Sequence, residues 1–236
     1  RSEYVKCAKD PVHFMKKYCL IQHPSKGKIP FKLYPYQEEL TNDMQENDRV
    51  IILKSRQLGI STLSAGYSLW TMLFHSDKNI LVVAIDQNTS KNLVTKVSVM
   101  FENLPSWLQL KTTEKNKLSL RLTNGSQIKA VASSGTSGRS EALSLVIIDE
   151  AAFVDNAEEL WASLQQTLAT GGRGVILSTP NGTGNFFHKT WMKSEEGQNQ
   201  FFTKRLPWQV HPERDQEWRD RQDEELGLRL AAQECD

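Results

Sequence analysis

The chain has 236 residues, 39% of them hydrophobic, which is enough for one main domain with a substantial core. Because 29 Lys and Arg residues nearly balance 28 Asp and Glu, the composition excludes a globally basic protein, and any contact with nucleic acid has to come from a local patch. Three cysteines without C-x-x-C spacing exclude a disulfide framework or a zinc site and indicate a reducing compartment. No apolar run reaches the roughly 18 to 20 residues of a membrane helix, so we expect an intracellular protein without membrane contact.

We expect residues 1–30 to form an N-terminal helical extension to a core of residues 31–206. The core opens with FKLYPYQEEL, in which Gln37 lies just inside a helix that begins near Pro35. A glutamine amide can both donate to and accept from an adenine edge, with Tyr36 or Tyr34 as an aromatic surface beside it. An exposed helical glutamine next to two core tyrosines is an equal alternative.

The next feature is a phosphate-binding pattern. The apolar run of residues 50–53 leads through KSRQLGIST, residues 54–62, into a helix predicted over residues 62–74. A buried strand that feeds a glycine-containing turn at a helix N-terminus directs backbone N–H groups toward a bound phosphate. Ser61 stands where the pattern G-x-x-x-x-G-K-[ST] has its magnesium ligand, and Thr62 is the alternative if the register differs by one.

This loop departs from the pattern because Ile60 stands in the place of the lysine. Arg56 is the first candidate for a replacement cation, since its planar guanidinium can hold two phosphate oxygens, and Lys54 is the second. We expect the nucleotide to contact the loop residues Lys54, Ser55, Arg56, Gln57, Leu58, Gly59, Ile60, Ser61 and Thr62. A strand, turn and helix with incidental basic residues is the alternative that this stretch alone leaves open.

Short apolar runs alternate with helical patterns along the chain. The runs cover residues 50–53, 80–85, 145–148 and 174–178, and helices are predicted over residues 62–74, 90–104 and 157–169. Runs without alternation indicate strands buried on both faces, so we predict an α/β fold of the P-loop NTPase type (RecA/ASCE-like), with a mainly parallel central sheet flanked by helices. The alternating stretch around Asn124-Gly125 predicts an antiparallel hairpin.

Two carboxylates follow the apolar run of residues 145–148. Open α/β sheets bind ligands at the carboxyl ends of their strands, and neighbouring strand residues point to opposite sides. We therefore expect Asp149 to support a magnesium ion, through its water or through Ser61, and Glu150 to orient and activate the attacking water. The alternative, that these acids only cap the next helix, is disfavoured by their occurrence together with the loop.

Two further segments are candidates for roles in catalysis. Ser178, Thr179 and Pro180 end the strand of residues 174–178, where the hydroxyl groups could face the site and sense the γ-phosphate. Taken alone, the segment fits an ordinary strand-to-turn transition better. Arg139 lies in a glycine- and serine-rich loop before the carboxylate strand and is a candidate arginine finger, with a solvated surface charge as the alternative.

The C-terminal segment, residues 207–236, is highly charged and helical in pattern, without a deep core face. We expect it to be a lid or a linker. The chain starts at Arg1 rather than at a methionine, and it stops at Asp236 without a turn or cap. We therefore expect it to be a piece of a longer protein.

Together these residues resemble the ATPase domain of the terminase large subunit, the DNA-packaging motor of tailed bacteriophages, particularly those with contractile tails. The similarity rests on SRQLGIST, VIIDEAAF, LSTPNGTGNFFH and PWQVHPERDQEWRDRQ. It implies ATP and Mg²⁺ as ligands and a basic residue in the first half of the loop that serves in place of the lysine. It also implies adenine contact by Gln37, catalysis by Glu150 and coupling by Ser178 to Pro180.

The resemblance further implies that Arg139 acts across a subunit interface, with Arg56 as another candidate for that role. The implied partners are double-stranded DNA, the portal protein, the small terminase subunit and further copies of the chain in a ring on the portal, in the host cytoplasm. A nuclease domain of the RNase H type is expected beyond residue 236. Two other functions fit the motifs, a superfamily 2 helicase-like ATPase and a nucleotide-gated DNA docking module without turnover.

Overall fold

The computed structural model describes residues 2–133 and 141–236. Its helices are α1 (Ser2–Lys9), α2 (Pro11–Tyr18), α3 (Pro35–Glu46), α4 (Ile60–Phe74), α5 (Gln87–Glu102), α6 (Ala157–Thr167), α7 (Phe186–Glu195), α8 (Gln216–Leu226) and α9 (Leu228–Cys235). Its strands are β1 (Leu20–His23), β2 (Gly27–Pro30), β3 (Arg49–Lys54), β4 (Asn79–Ala84), β5 (Thr112–Lys115), β6 (Ser119–Leu122), β7 (Gln127–Ala132), β8 (Leu145–Asp149), β9 (Arg173–Ser178) and β10 (Phe202–Leu206). Short 3₁₀ turns cover Ala151–Phe153 and Trp208–Val210.

The central sheet has eight strands in the order β10-β3-β9-β8-β4-β7-β6-β5. The six strands from β10 to β7 run parallel, and β6 and β5 extend the sheet in antiparallel fashion. The predicted mainly parallel sheet is confirmed, and the four predicted strands correspond to β3, β4, β8 and β9. The predicted hairpin is also confirmed, because the turn between β6 and β7 contains Asn124 and Gly125.

Helices cover both faces of this sheet. Alternate strand residues such as Val50, Ile52 and Val82 are buried in a core with α4 and α5. Their neighbours, such as Ile51 and Val83, are buried in a second core with α6. Since full burial of an aliphatic side chain stabilises a fold by about 1.5–3 kcal/mol, the continuous apolar runs are best accommodated between two helical layers.

The N-terminal 30 residues are only partly helical. Asp10 caps α2 by accepting a hydrogen bond from the N–H of His13 at 2.9 Å, and Trp70 ties α1 to α4 through a 2.9 Å hydrogen bond to the carbonyl of Cys7. After α2 the chain forms the antiparallel pair β1 and β2 instead of a further helix. Gly27, the first residue of β2 after the short turn, has φ +70°, a conformation that glycine adopts without steric cost.

The C-terminal segment folds into α8 and α9, whose ends are joined by charged groups. Arg219 contacts both oxygens of Asp236 at 2.9 and 3.0 Å and also pairs with Asp223. Ala231 and Cys235 are the buried residues of α9. Within residues 2–133 and 141–236, no helix is both long enough and apolar enough to span a bilayer.

Candidate nucleotide site

Three neighbouring strands bring the predicted polar residues to one edge of the sheet. In the parallel register, Leu53 of β3 pairs with Ser178 of β9, and Leu177 of β9 pairs with Asp149 of β8. Because parallel strands end at a common edge, Lys54 comes close to the residues that end the other two strands. This is the edge at which open α/β sheets bind ligands.

The loop between β3 and α4 has a backbone suited to binding an anion. Gln57 and Gly59 adopt left-handed φ angles of +57° and +72°. A Cβ atom at Gly59 would lie 2.8 Å from Nε2 of Gln37, so both the conformation and the space require glycine. Within the described residues, the N–H groups of residues 58–61 donate to no protein acceptor, and they lie at the N-terminus of the 15-residue helix α4. Such groups are available to phosphate oxygens.

The two candidate cations of the loop have different partners. The Lys54 side chain is 6% exposed, and its Nζ lies 2.8 Å from Oε1 of Glu150. The Arg56 side chain is 65% exposed, and its Nε pairs with the carboxylate of Glu234 in the C-terminal segment. The geometry therefore favours Lys54 over Arg56 as the replacement cation, which reverses the order inferred from the sequence.

Ile60, at the position of the missing lysine, is 2% exposed and belongs to the core on the α4 side of the sheet. Leu58 is buried in the same core. The loop is thus anchored by apolar side chains on its second half, and its charged groups come from its first half.

Ser61 and Asp149 form a direct pair. The Ser61 hydroxyl donates to Oδ2 of Asp149 at 2.7 Å, and Oδ1 accepts from the N–H of Glu150 at 3.0 Å. Burial raises the pKa of Asp149, while the Lys54 ammonium and the Ser61 hydroxyl act in the opposite direction. A hydroxyl and a carboxylate oxygen are the hard donors that suit Mg²⁺, so this pair fits the predicted metal site.

Glu150 follows its strand in a left-handed conformation, with φ of +51°. Its Oε2 accepts hydrogen bonds from the N–H and the hydroxyl of Thr179, at 3.1 and 3.2 Å, and from the hydroxyl of Ser178 at 3.5 Å. Burial raises the pKa of Glu150, but the Lys54 charge and the hydrogen bonds from Lys54 and Thr179 lower it overall. The carboxylate is therefore held ionised, in contact with the loop on one side and with the end of β9 on the other.

Ser178 and Thr179 are fully buried at this edge, and Pro180 is half-buried. Besides its contact with Glu150, the Ser178 hydroxyl accepts a hydrogen bond from the N–H of Ala152 at 3.1 Å. The structure thus brings the predicted coupling hydroxyls into direct contact with the predicted catalytic carboxylate.

Gln37 and Tyr36 contact the loop itself. Nε2 of Gln37 and the hydroxyl of Tyr36 both donate to the carbonyl of Leu58, at 3.0 and 2.9 Å, and Oε1 of Gln37 accepts from the N–H of Tyr34 at 3.0 Å. Gln37 is 3% exposed. Beyond it, the Tyr34 ring stacks on Tyr36 and has its centroid 4.6 Å from that of His211. Adenine contact by Gln37 remains a prediction, and the role that its contacts demonstrate is to position the loop.

A lysine that the sequence analysis did not select also reaches the loop. Lys96 of α5 donates from Nζ to Oγ1 of Thr62 at 3.2 Å. The hydroxyl of Thr62, the alternative metal ligand, is therefore engaged on the α5 side, while that of Ser61 contacts Asp149. No local pattern marks Lys96, because the contact joins residues 34 positions apart in two separate helices.

The C-terminal segment packs against the first half of the loop, which the sequence analysis also did not foresee. Arg214 donates to Oγ of Ser55 at 3.2 Å and to the carbonyl of Arg56 at 2.9 Å, with its guanidinium 4.4 Å from the ring centroid of Trp218. The N–H of Arg56 in turn donates to the carbonyl of Glu234 at 2.7 Å. Arg139, the candidate arginine finger, lies outside the described residues.

A phosphate-type loop, a strand inserted between the loop strand and the carboxylate strand, and a mainly parallel sheet define the class of P-loop-like nucleoside triphosphatase folds. The chain belongs to the family described as terminase large subunit, T4likevirus-type, N-terminal, whose model matches residues 51–227. The resemblance inferred from the sequence motifs is thereby confirmed.

Solved structures of phage terminases share this fold. The large terminase ATPase domain of Thermus phage P74-26 matches with a TM-score of 0.69 and 21% identity over 87% of this chain and 93% of that one. The large terminase of bacteriophage HK97 matches with a TM-score of 0.70 and 18% identity over 96% of this chain and 47% of that one. The large terminase of a thermophilic bacteriophage, in complex with ATP-gamma-S, matches with a TM-score of 0.61 and 11% identity, over 81% and 49%. The chain thus spans about half the length of these last two proteins.

Proposed function

We propose that the protein hydrolyses ATP with Mg²⁺ at this site and that the hydrolysis drives double-stranded viral DNA into a procapsid. The observation that carries the proposal is a chain of contacts in which Glu150 bonds to Lys54 on one side and to Thr179 on the other. These residues come from the ends of three adjacent strands, beside the pair of Ser61 and Asp149. Membership of the terminase family supports the same function.

The residues present fit both ligands. The N–H groups of residues 58–61 and the Lys54 ammonium suit the phosphates, and the oxygens of Ser61 and Asp149 suit the metal. A bound magnesium ion would offset the negative charge that develops on the transferred phosphoryl group.

Glu150 is the proposed base for the attacking water. While Lys54 pairs with it, the pKa of Glu150 is low and the carboxylate is a weak base. If Lys54 turns toward a phosphate oxygen, burial of Glu150 acts without that opposing charge, and the carboxylate becomes a stronger base. The pair therefore links the arrival of nucleotide to the activation of Glu150.

Ser178 and Thr179 are the proposed coupling residues, because their hydroxyl groups contact Glu150 directly. A movement of Glu150 would therefore displace the end of β9 and Pro180, which leads toward α7. Arg139 remains the proposed arginine finger, supplied to a neighbouring copy of the chain.

The proposed organisation follows the sequence-based division, with residues 1–30 as an extension, 31–206 as the ATPase core and 207–236 as a lid or linker to a nuclease domain. The proposed partners are DNA, the portal, the small terminase subunit and other copies of the chain in a ring, in the host cytoplasm.

The direct test is phosphate release from Mg-ATP by the purified protein, with and without double-stranded DNA. We expect magnesium-dependent turnover, and we expect Asp149→Asn to abolish it while Asp155→Asn, a change at an exposed acid just beyond the site, leaves it intact. If the protein binds ATP but releases no phosphate either with or without DNA, it is instead a docking module.

A further inference from the structure

We propose that Lys96 is a positioning residue of the nucleotide site. Its ammonium group holds the Thr62 hydroxyl and adds a second positive charge, after that of Lys54, where the phosphates of the nucleotide would bind. The inference rests on the proposed function, since it concerns how the same site binds ATP. Its basis is the placement of one lysine that belongs neither to the loop nor to the two strand ends.

Lys96 lies at the border of the buried face of α5. Leu93 and Val97 on that face are buried in the core shared with α4, whereas Lys96 is half-buried. Its aliphatic stem can therefore follow the core surface while the ammonium group reaches the first turn of α4, where it bonds to Thr62.

Because of this contact, the hydroxyl groups of Thr62 and Ser61 have different partners. Thr62 accepts a hydrogen bond from Lys96, and Ser61 donates one to Asp149. The position of Lys96 thus favours Ser61 over Thr62 as the metal ligand. It also leaves two further N–H donors on the ammonium group for other acceptors.

The charge of Lys96 lacks a close counterion among residues 2–133 and 141–236. No carboxylate of those residues lies within ion-pair distance of its Nζ, whereas Lys54 pairs with Glu150. A half-buried cation in this setting is stabilised by an anionic ligand, and a nucleotide polyphosphate is such a ligand.

The charge of Lys96 can compensate for the lysine that the loop lacks. With Ile60 buried in the core, the loop lacks the cation that the usual pattern places at the start of the helix. Lys54 and Lys96 reach the site from two different elements, the end of β3 and α5. We infer that Lys54 serves mainly turnover, because it contacts Glu150, and that Lys96 serves mainly affinity.

The test uses Lys96→Met, which keeps the stem and removes the charge. We expect the KM for Mg-ATP and the Kd for Mg-ADP to rise about tenfold, equivalent to about 1.4 kcal/mol, while kcat falls less than about threefold. Lys96→Arg should restore most of the affinity. Lys91→Met is the matched control, because Lys91 is also half-buried but lies on a different side of the same helix.

A second variant tests whether Lys96 acts together with Thr62. Thr62→Val removes the hydroxyl at nearly constant volume, and if the two groups act as a unit, the double variant should lose less affinity than the sum of the single losses. Additive losses, or wild-type Kd and KM in Lys96→Met, would overturn the assignment. Wild-type protein that binds ATP without hydrolysing it would overturn the proposed function alone, because the Lys96 prediction is read from Kd.

Discussion

The two sides of the phosphate loop use cationic residues in opposite ways. On the sheet side, Lys54 is almost fully buried and pairs with Glu150 at the strand edge. On the side of the C-terminal segment, Arg56 is mostly exposed and pairs with Glu234. The guanidinium group of arginine suits phosphate better than the ammonium group of lysine does. A side chain can bind phosphate, however, only if it lies beside the phosphate site. The comparison is the reason that we propose Lys54 as the loop cation: it is buried beside Glu150, whereas Arg56 is exposed and paired elsewhere.

The largest effect is expected on the sheet side, at Glu150. Glu150→Gln keeps the shape and removes the base, so we expect hydrolysis to fall about 10²- to 10⁴-fold while Mg-ATP binding is retained. Single-turnover phosphate release and a binding titration measure the two separately. The exposed Glu158→Gln serves as control, and near wild-type turnover of Glu150→Gln would remove Glu150 as the base.

Lys54→Met should produce the next largest effect, a loss of about 10²-fold in hydrolysis together with weaker ATP binding. It should also lower the free energy of unfolding in the absence of nucleotide by about 1–3 kcal/mol, less than for a fully buried pair because Glu150 retains some exposure. Adding Glu150→Gln should recover part of this stability, because no unpaired carboxylate remains. Urea unfolding of Lys54→Met, Glu150→Gln and the double variant checks the prediction. A double variant as unstable as Lys54→Met would contradict it.

Arg56→Ala should have a much smaller effect, since its exposed ion pair contributes at most about 1 kcal/mol. We expect turnover within about threefold of wild type, and the same for Glu234→Ala, measured in the same phosphate-release assay. If Arg56→Ala loses as much turnover as Lys54→Met, Arg56 is the loop cation, and the contrast drawn between the two residues is wrong.

The smallest effect is expected at an ion cluster remote from the loop. Hydrogen bonds from His13, Lys17 and Tyr18 lower the pKa of Glu3 from 4.5 to about 2. A carboxylate with a lowered pKa contributes stability above pH 4.5 that is lost as the pH falls toward 2. Glu3→Gln should therefore flatten the decline of unfolding free energy over this range, measured by urea unfolding at several pH values. Glu46→Gln, at an exposed position in α3, is the control and should leave the slope unchanged.

The central strands could be predicted because each is a continuous apolar run that is stable only between two layers of helices. β3, β4, β8 and β9 follow directly from this pattern. The strands of the central sheet that the sequence analysis missed, β5 and β10, have no continuous apolar run. β5 is exposed at every position, and β10 carries Lys204 and Arg205, so both depend on pairing at the sheet edge rather than on their own hydrophobic pattern.

The candidate site divides in the same way. The sequence by itself selected Gly59, Ser61, Asp149 and Glu150 as candidates, because a loop before a helix and acids after a buried strand are local patterns whose geometry follows from the strand ends. Only the tertiary structure distinguished the surroundings of Lys54 from those of Arg56, engaged Gln37 with the loop, and brought Lys96 and Arg214 to it. These contacts join segments far apart in the chain, and the direction of a long side chain depends on the packing around it, which no local pattern records.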